Sequence, residues 1–274
     1  MSALKASLRS LTPPLLWHGG HLLKRRLGTP DERLSHFEGP FASWTLAVAQ
    51  SETWDAPEIT ELFLRSALAA KEGKIACEHD GLPYKDPSYS YTMLAFLLLA
   101  TARDGDLNIV DFGGGLGSGY FQNTRLLRLM SSSVRWNIVE RPIFVKLGIE
   151  HFQNDALSFY STLGEAIARS KSDSLIFSGS LQYVEEPFAV IDEAARSNIR
   201  IMAFDNTLTW GKPDDGIFLQ RPPKTHYRAT FACRCFSKRR FISRLAELGF
   251  ALVEDFTRNH PADFCFSGMI FVRH

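Results

Sequence analysis

The chain is poor in the features that would assign it to a special class. Four cysteines in 274 residues, Cys77, Cys233, Cys235 and Cys265, are too few for a disulfide framework. Reduced thiols in a cytoplasm are the expectation. Cys233 and Cys235 are not followed by a second close pair, so they read as ordinary strand or loop thiols rather than zinc ligands. No apolar run approaches the ~18 residues of a membrane-spanning helix; the longest, around Met93 to Ala100, reads as a buried helix. Charge of one sign is also missing: 31 Lys+Arg face 30 Asp+Glu, for a formal net charge of +1. That excludes a strongly basic nucleic-acid binder. No internal repeat or low-complexity tract is present. The first acidic residue is Asp31, and Lys5, Arg9, Lys24, Arg25 and Arg26 precede it. Pro13-Pro14 interrupts any signal-peptide core. The basic segment reads as a solvated lead-in; Leu4, Leu8 and Leu11 share a helical face, which leaves membrane-surface contact as the alternative.

An apolar fraction of 45% at this length is enough for a substantial core. Prolines and glycines punctuate residues 1 to about 40, which read as irregular. Helices are expected from about Ser43, after Asp55-Ala-Pro57 with Asp55 as cap, and over Tyr91 to Arg103, with a polar loop from Glu78 to Ser90. From Leu107 the texture becomes alternating strand and helix. Strands are expected at Leu107–Asp111, Val134–Val139, Leu157–Tyr160, Ser174–Ser178 and Arg200–Asp205. Residues 206–236 read as a long irregular segment. A helix and two closing strands then complete the chain. This pattern predicts an α/β fold: a doubly wound, Rossmann-like, seven-stranded sheet, mostly parallel with an antiparallel last strand. Residues 1–104 form a helical N-terminal extension or lid, and 105–274 the ligand-binding domain. In such a sheet the ligand lies beyond the carboxyl ends of the strands. Asp111, Glu140, Tyr160, Ser178 and Asp205 all fall there.

The central motif is Ile109-Val-Asp-Phe-Gly-Gly-Gly-Leu-Gly-Ser-Gly119. It misses the Gly-x-Gly-x-x-Gly frame of nicotinamide binders from either starting glycine, and it has no Walker lysine. Asp111, at the strand end, is poorly placed for phosphates and well placed for a ligand ammonium group. Glu140 closes the second strand, where a carboxylate can accept both hydroxyls of a ribose. An acid at each position suits an adenosine with an amino-acid tail and no phosphates, which is S-adenosyl-L-methionine.

On Val110-Asp111-Phe-Gly113-Gly-Gly115-Leu-Gly117 and Trp136-Asn-Ile-Val-Glu140 the chain resembles class I S-adenosylmethionine-dependent methyltransferases. More narrowly, it resembles bacterial methyltransferases whose members often occur with surface-polysaccharide genes. That likeness rests on Asp111 to Gln122, Ser178-Gly-Ser-Leu-Gln-Tyr183, Gln220-Arg-Pro-Pro223 and Gly39-Pro-Phe-Ala-Ser-Trp44. The resemblance implies that Asp111, Gly113, Gly114 and Gly115 contact the methionine part and Glu140 the ribose. It puts Phe159, Tyr160 and Ser161 near the adenine, without the Asp that often serves its amino group. Ser178 and Ser180 join the cofactor set, with satisfaction of turn backbone as the alternative.

The implied reaction is O-methylation of a saccharide or related small molecule, with S-adenosylhomocysteine as the product. His226 is the best candidate for a general base, with acceptor contact without proton transfer and a structural or solvent-facing role as the alternatives. Tyr227 and Gln182 complete the catalytic candidates, and Tyr183, Asp205 and Arg221 are acceptor contacts, Arg221 for an anionic acceptor. Metal-dependent O-methyltransferases have Asp-Asn where this chain has Asp205-Asn206. They add an Asp on strand four, where this chain has Ser178, so no metal is expected. His18, His21, His36 and His79 read as surface residues. A nucleotide-dependent oxidoreductase and a non-catalytic S-adenosylmethionine-binding protein are the alternatives.

Overall fold

A computed structural model describes residues 36–52, 56–102, 105–222, 229–257 and 264–274. The central strands follow the expected alternation. β4 (Leu107–Phe112), β5 (Val134–Val139), β6 (Leu157–Tyr160), β7 (Ser174–Ser178) and β8 (Ile201–Trp210) run parallel in the order β6-β5-β4-β7-β8. β12 (Cys265–Arg273) pairs antiparallel with β8, and β11 (Phe250–Asp255) antiparallel with β12. The crossover helices are α4 (Ser118–Met130), α5 (Pro142–His151), α6 (Leu163–Ser170), α7 (Pro187–Arg196) and α8 (Lys238–Glu247). α5 and α7 each carry proline in the first turn, where its missing N–H has no intrahelical partner to lose.

The expected seven strands are joined by three more, making a ten-stranded sheet. β7 ends at Ser178, opposite Asp205, but β8 runs on to Trp210. An unpaired buried strand edge is costly because its backbone groups would lose water without gaining partners. β10 (Phe231–Ser237) takes up that edge, with Phe236 opposite Thr209 and Ser237 opposite Trp210. β9 (Gly216–Arg221) pairs antiparallel with β10, and β1 (His36–Phe41) with β9. The expectation of an irregular segment over residues 206–236 is therefore corrected. The alternation of Cys233 and Cys235 was the local signal for strand, and both thiols are buried.

The extension is not simply helical either. α1 (Trp44–Val48), α2 (Pro57–Lys71) and α3 (Tyr91–Thr101) are helices, but β1 belongs to the main sheet. Between α2 and α3, the expected polar loop contains a hairpin, β2 (Cys77–His79) and β3 (Leu82–Tyr84). Its turn is Asp80-Gly81, both at positive φ (51° and 76°). This is the arrangement Asp-Gly favours in two-residue hairpins. Met93, Phe96 and Leu97 of α3 share a core with Leu107, Ile109, Trp136 and Ile138. On the other face, Val110, Leu175, Phe177, Phe204 and Phe241 form a second core. Asp55 and the basic lead-in lie outside the described residues. No helix among the described residues is long and apolar enough to cross a membrane.

Candidate functional site

The ends of β4, β5 and β7 and the middle of β8 open into a cleft of about 1150 Å³. Asp111 is 2% exposed. Its Oδ2 accepts the Trp136 indole N–H at 2.9 Å, while Oδ1 has no hydrogen-bond partner among the described residues. Burial pushes the Asp111 carboxyl up to about 7; the Trp136 bond opposes this, and the nearby charges of Glu140 and Asp205 add to it.

The glycine turn is shaped by close approaches. Gly113 has φ +74°, and a Cβ there would stand 2.4 Å from the Cβ of Ser180. Ser180 is drawn in because its hydroxyl donates to the Phe112 carbonyl at 2.6 Å. A Cβ on Gly114 would lie 2.5 Å from Asp111 Oδ2. Gly115, at φ +59°, is different: a Cβ there would meet nothing nearer than Ser118 Oγ at 3.9 Å. Its bare face is open for a ligand to approach the backbone.

Glu140 links the second strand to this turn. Its Oε1 accepts the Gly115 N–H at 3.3 Å and its Oε2 the Arg141 N–H at 2.8 Å. The Arg141 side chain stays near the same carboxylate, with Nε 3.6 Å from Oε2, and its guanidinium lies over the Phe144 ring.

Across the cleft, Ser178 and Asp205 are register partners. Asp205 Oδ2 accepts from Ser178 Oγ at 3.0 Å, and Oδ1 from Ser90 Oγ at 2.7 Å. Ser90 also caps α3 by accepting the Met93 N–H at 3.3 Å. One hydroxyl thus ties the start of α3 to the middle of β8. Gln182 and Tyr183 lie on a 3₁₀ turn, Leu181–Tyr183. Gln182 Nε2 donates to the Asn206 carbonyl at 3.3 Å, and the Tyr183 hydroxyl donates to Gln220 Oε1 at 2.6 Å.

The structure brings Asp111, Gly113, Gly114, Gly115, Glu140, Ser178, Ser180, Gln182, Tyr183 and Asp205 into the wall of one cleft. Tyr160 is not among the wall residues. It packs against the core that holds Val110 and Val139, and the next three residues, Ser161, Thr162 and Leu163, line the cleft instead. Alternation along β6 explains this: the side chain after a strand's end need not share the face of the last strand residue. Arg221 also stands outside the wall. It is exposed at the end of β9 and pairs with Glu38 at 2.8 Å, while its neighbour Gln220 faces the cleft. His226 and Tyr227 lie outside the described residues.

Ser90 and His79 are among the contributors that sequence reasoning missed. Ser90 carried the signal of a serine immediately before an apolar helix. His79, read as a surface residue, lines the cleft. The hairpin that carries it is anchored where Glu78 Oε2 accepts the Gly81 N–H at 2.9 Å and the Ser66 hydroxyl donates to the Gly81 carbonyl. Burial holds the imidazole below its ordinary range, against the opposing pull of Asp80 and Asp205. Glu78, 1% exposed, is pushed up to about 7 by burial, against the Gly81 bond and with help from Asp80.

No protein-family model matches the chain, and no curated protein matches it in sequence. It is similar at low identity to solved structures. One is the N-terminal domain of EvdMO1 with SAH bound: 17% identity, 76% of this chain and 95% of that chain covered, TM-score 0.48. Another is the 1,6-didemethyltoxoflavin-N1-methyltransferase of Burkholderia thailandensis with 1,6-didemethyltoxoflavin and S-adenosylhomocysteine. There the identity is 15%, the coverage 81% and 92%, and the TM-score 0.42. A third is magnesium protoporphyrin IX methyltransferase from Synechocystis PCC 6803 with bound SAM: 15%, 69% and 86%, and 0.42.

Proposed function

We propose that the chain is an S-adenosyl-L-methionine-dependent methyltransferase that O-methylates a saccharide or related small molecule. The observation that carries the reading is the pair of acids around the glycine turn. Asp111 has a buried oxygen without a partner, beside a turn whose Gly115 face is bare, and Glu140 is bonded to the Gly115 N–H. A group with an ammonium and a ribose fits these residues. An orphaned carboxylate oxygen wants a donor, and a carboxylate at the end of the second strand is the group that accepts ribose hydroxyls. A pyrophosphate does not fit, because a carboxylate already sits on a turn N–H that a dinucleotide would need. This weighs against the oxidoreductase alternative.

When bound, S-adenosylmethionine supplies an electrophilic methyl group on a sulfonium. The chain's own contribution is placement, which can be worth ~7–11 kcal/mol of the barrier. Gly113 to Gly115 and Glu140 hold one partner; Gln182, Tyr183 and Asp205 orient the other. His79, held below its ordinary range by burial, lines the same wall and joins His226 as a candidate to take the acceptor's proton.

Calorimetric titration of S-adenosylhomocysteine into the wild type and Glu140→Ala tests the reading. Micromolar binding is expected for the wild type, weakened at least tenfold (~1.4 kcal/mol) in the variant. Absence of heat and of any thermal shift at millimolar ligand would sink it.

A further inference from the structure

Among the described residues, the exposed Phe, Tyr and Trp side chains are Tyr84, Tyr89, Tyr91 and Phe266. Three of them line the cleft: Tyr84 at 39% exposed, Tyr89 at 37% and Phe266 at 44%. A ring left in water forgoes the burial that aromatic side chains otherwise contribute. Several such rings in one concave wall point to a ligand that covers them.

The three rings come from distant parts of the chain and converge on Asp205. Tyr89 precedes Ser90, whose hydroxyl donates to Asp205 Oδ1 at 2.7 Å. Phe266 stands on β12 opposite Leu208, three residues beyond Asp205 on β8. A Cβ on Gly268 would collide with Thr92 Oγ1, so β12 presses against the first turn of α3. That close approach brings the part of β12 carrying Phe266 up to the segment carrying Tyr89. Tyr84 is in register with Cys77 on the β2–β3 hairpin. Its ring meets His79 edge-on, with 5.4 Å between centroids, and the Asp205 charge reaches that imidazole.

Rings grouped beside a fixed carboxylate match the two kinds of surface on a sugar. The C–H bonds on one face of a pyranose carry partial positive charge and stack on the negative face of an aromatic ring. Its hydroxyls lie around the edge and need acceptors. Asp205, 8% exposed, is held by Ser90 on one oxygen and Ser178 on the other. Each carboxylate oxygen can accept more than one donor. A planar aromatic acceptor would stack as well but brings few hydroxyls to its edge. The carboxylate beside it would then lose water with little in return.

We propose that Tyr84, Tyr89 and Phe266 form an aromatic subsite beside Asp205 that receives a pyranose ring of the acceptor, its C–H face against the rings and a hydroxyl on the carboxylate. The proposal rests on the methyltransferase reading and deepens it by assigning the side chains that hold the saccharide.

Saturation-transfer difference NMR on the full chain, with S-adenosylhomocysteine present, tests it. The probes are the methyl glycosides of glucose, galactose, mannose, rhamnose and fucose, with catechol as the aromatic comparison. At least one glycoside is expected to receive saturation, strongest at the C–H protons of one ring face, and to bind more tightly than catechol. Tyr84→Ala, Tyr89→Ala and Phe266→Ala are each expected to raise its Kd at least about threefold. Tyr84→Phe should keep the wild-type value, because the ring and not its hydroxyl makes the contact. Calorimetry with S-adenosylhomocysteine should give all four variants the wild-type affinity, which separates loss of the subsite from loss of the fold. Three results would overturn the proposal: no glycoside binds a chain that binds S-adenosylhomocysteine, catechol binds more tightly than every glycoside, or the alanine variants bind the glycoside as the wild type does. Failure of S-adenosylhomocysteine itself to bind is a different outcome, because it rejects the methyltransferase reading.

Discussion

The Trp136 indole N–H donates to Asp111 Oδ2 at 2.9 Å, from the middle of β5 to the end of β4. Both groups are buried, so the bond holds the carboxyl in place beneath the glycine turn. It also favours the charged form of that carboxyl against burial. Trp136→Phe leaves Oδ2 unpaired and is expected to cost about 1–3 kcal/mol. The loss should be larger at pH 8 than at pH 5, because the ionised carboxylate is the form that needs the donor. Urea unfolding at the two pH values measures it; equal losses at both would show that the indole acts through packing alone.

Asp111 and Glu78 both sit near pH 7 in the folded protein, well above their ordinary values of 3.8 and 4.5. The folded state therefore holds protons that the unfolded chain has already released. Stability from these groups is fully present below about pH 4 and is lost as pH rises through about 7. Asp111→Asn and Glu78→Gln should each flatten the fall in urea midpoint between about pH 4.5 and 7.5. Midpoints that track the wild type across that window would rule out these two carboxyls as its source.

Two neighbouring glycines should fail in different ways. Gly113→Ala drives a methyl against Ser180 in a left-handed backbone, and overpacking of this kind costs about 1–3 kcal/mol beyond the conformational strain. Gly115→Ala carries only the strain, about 1–2 kcal/mol, but covers the bare face of the turn. Thermal unfolding should rank Gly113→Ala as the less stable, while calorimetry with S-adenosylhomocysteine should show Gly115→Ala losing affinity out of proportion to its stability. The reverse order in the melts would contradict the packing argument.

The ring of His79 is expected to titrate below its ordinary 6.5, and Asp205→Asn should lower it further by removing a negative charge that supports the imidazolium. A histidine depressed in this way contributes stability that is present above about pH 6.5 and is lost as pH falls. Carbon–proton correlation spectra across a pH series, assigned with His79→Gln, measure the midpoint. A midpoint that stays fixed in Asp205→Asn would separate the two groups electrostatically.

Much of the site was legible before folding because its signals are local. The strand ending in Asp111, the glycines after it and the next strand ending in Glu140 lie within short stretches of chain. A parallel sheet must bring such ends together. Tyr160 shows where that logic weakens: a strand end can be located from pattern, but not which of two successive side chains turns into the cleft. Arg221 fails for another reason. Its attraction to Glu38 depends on β1 pairing with β9, which joins parts of the chain far apart in sequence.

The β–α alternation, the glycine turn and the two acids follow from periodicity and backbone sterics, which act over a few residues. Three features instead needed the folded chain: the continuation of β8 beyond β7, the strands β10, β9 and β1 that satisfy its edge, and the hairpin that carries His79 to the cleft. A backbone edge left unpaired is a cost no local pattern records, and packing decides that His79 lines the same cleft as Asp205, 126 positions further along the chain.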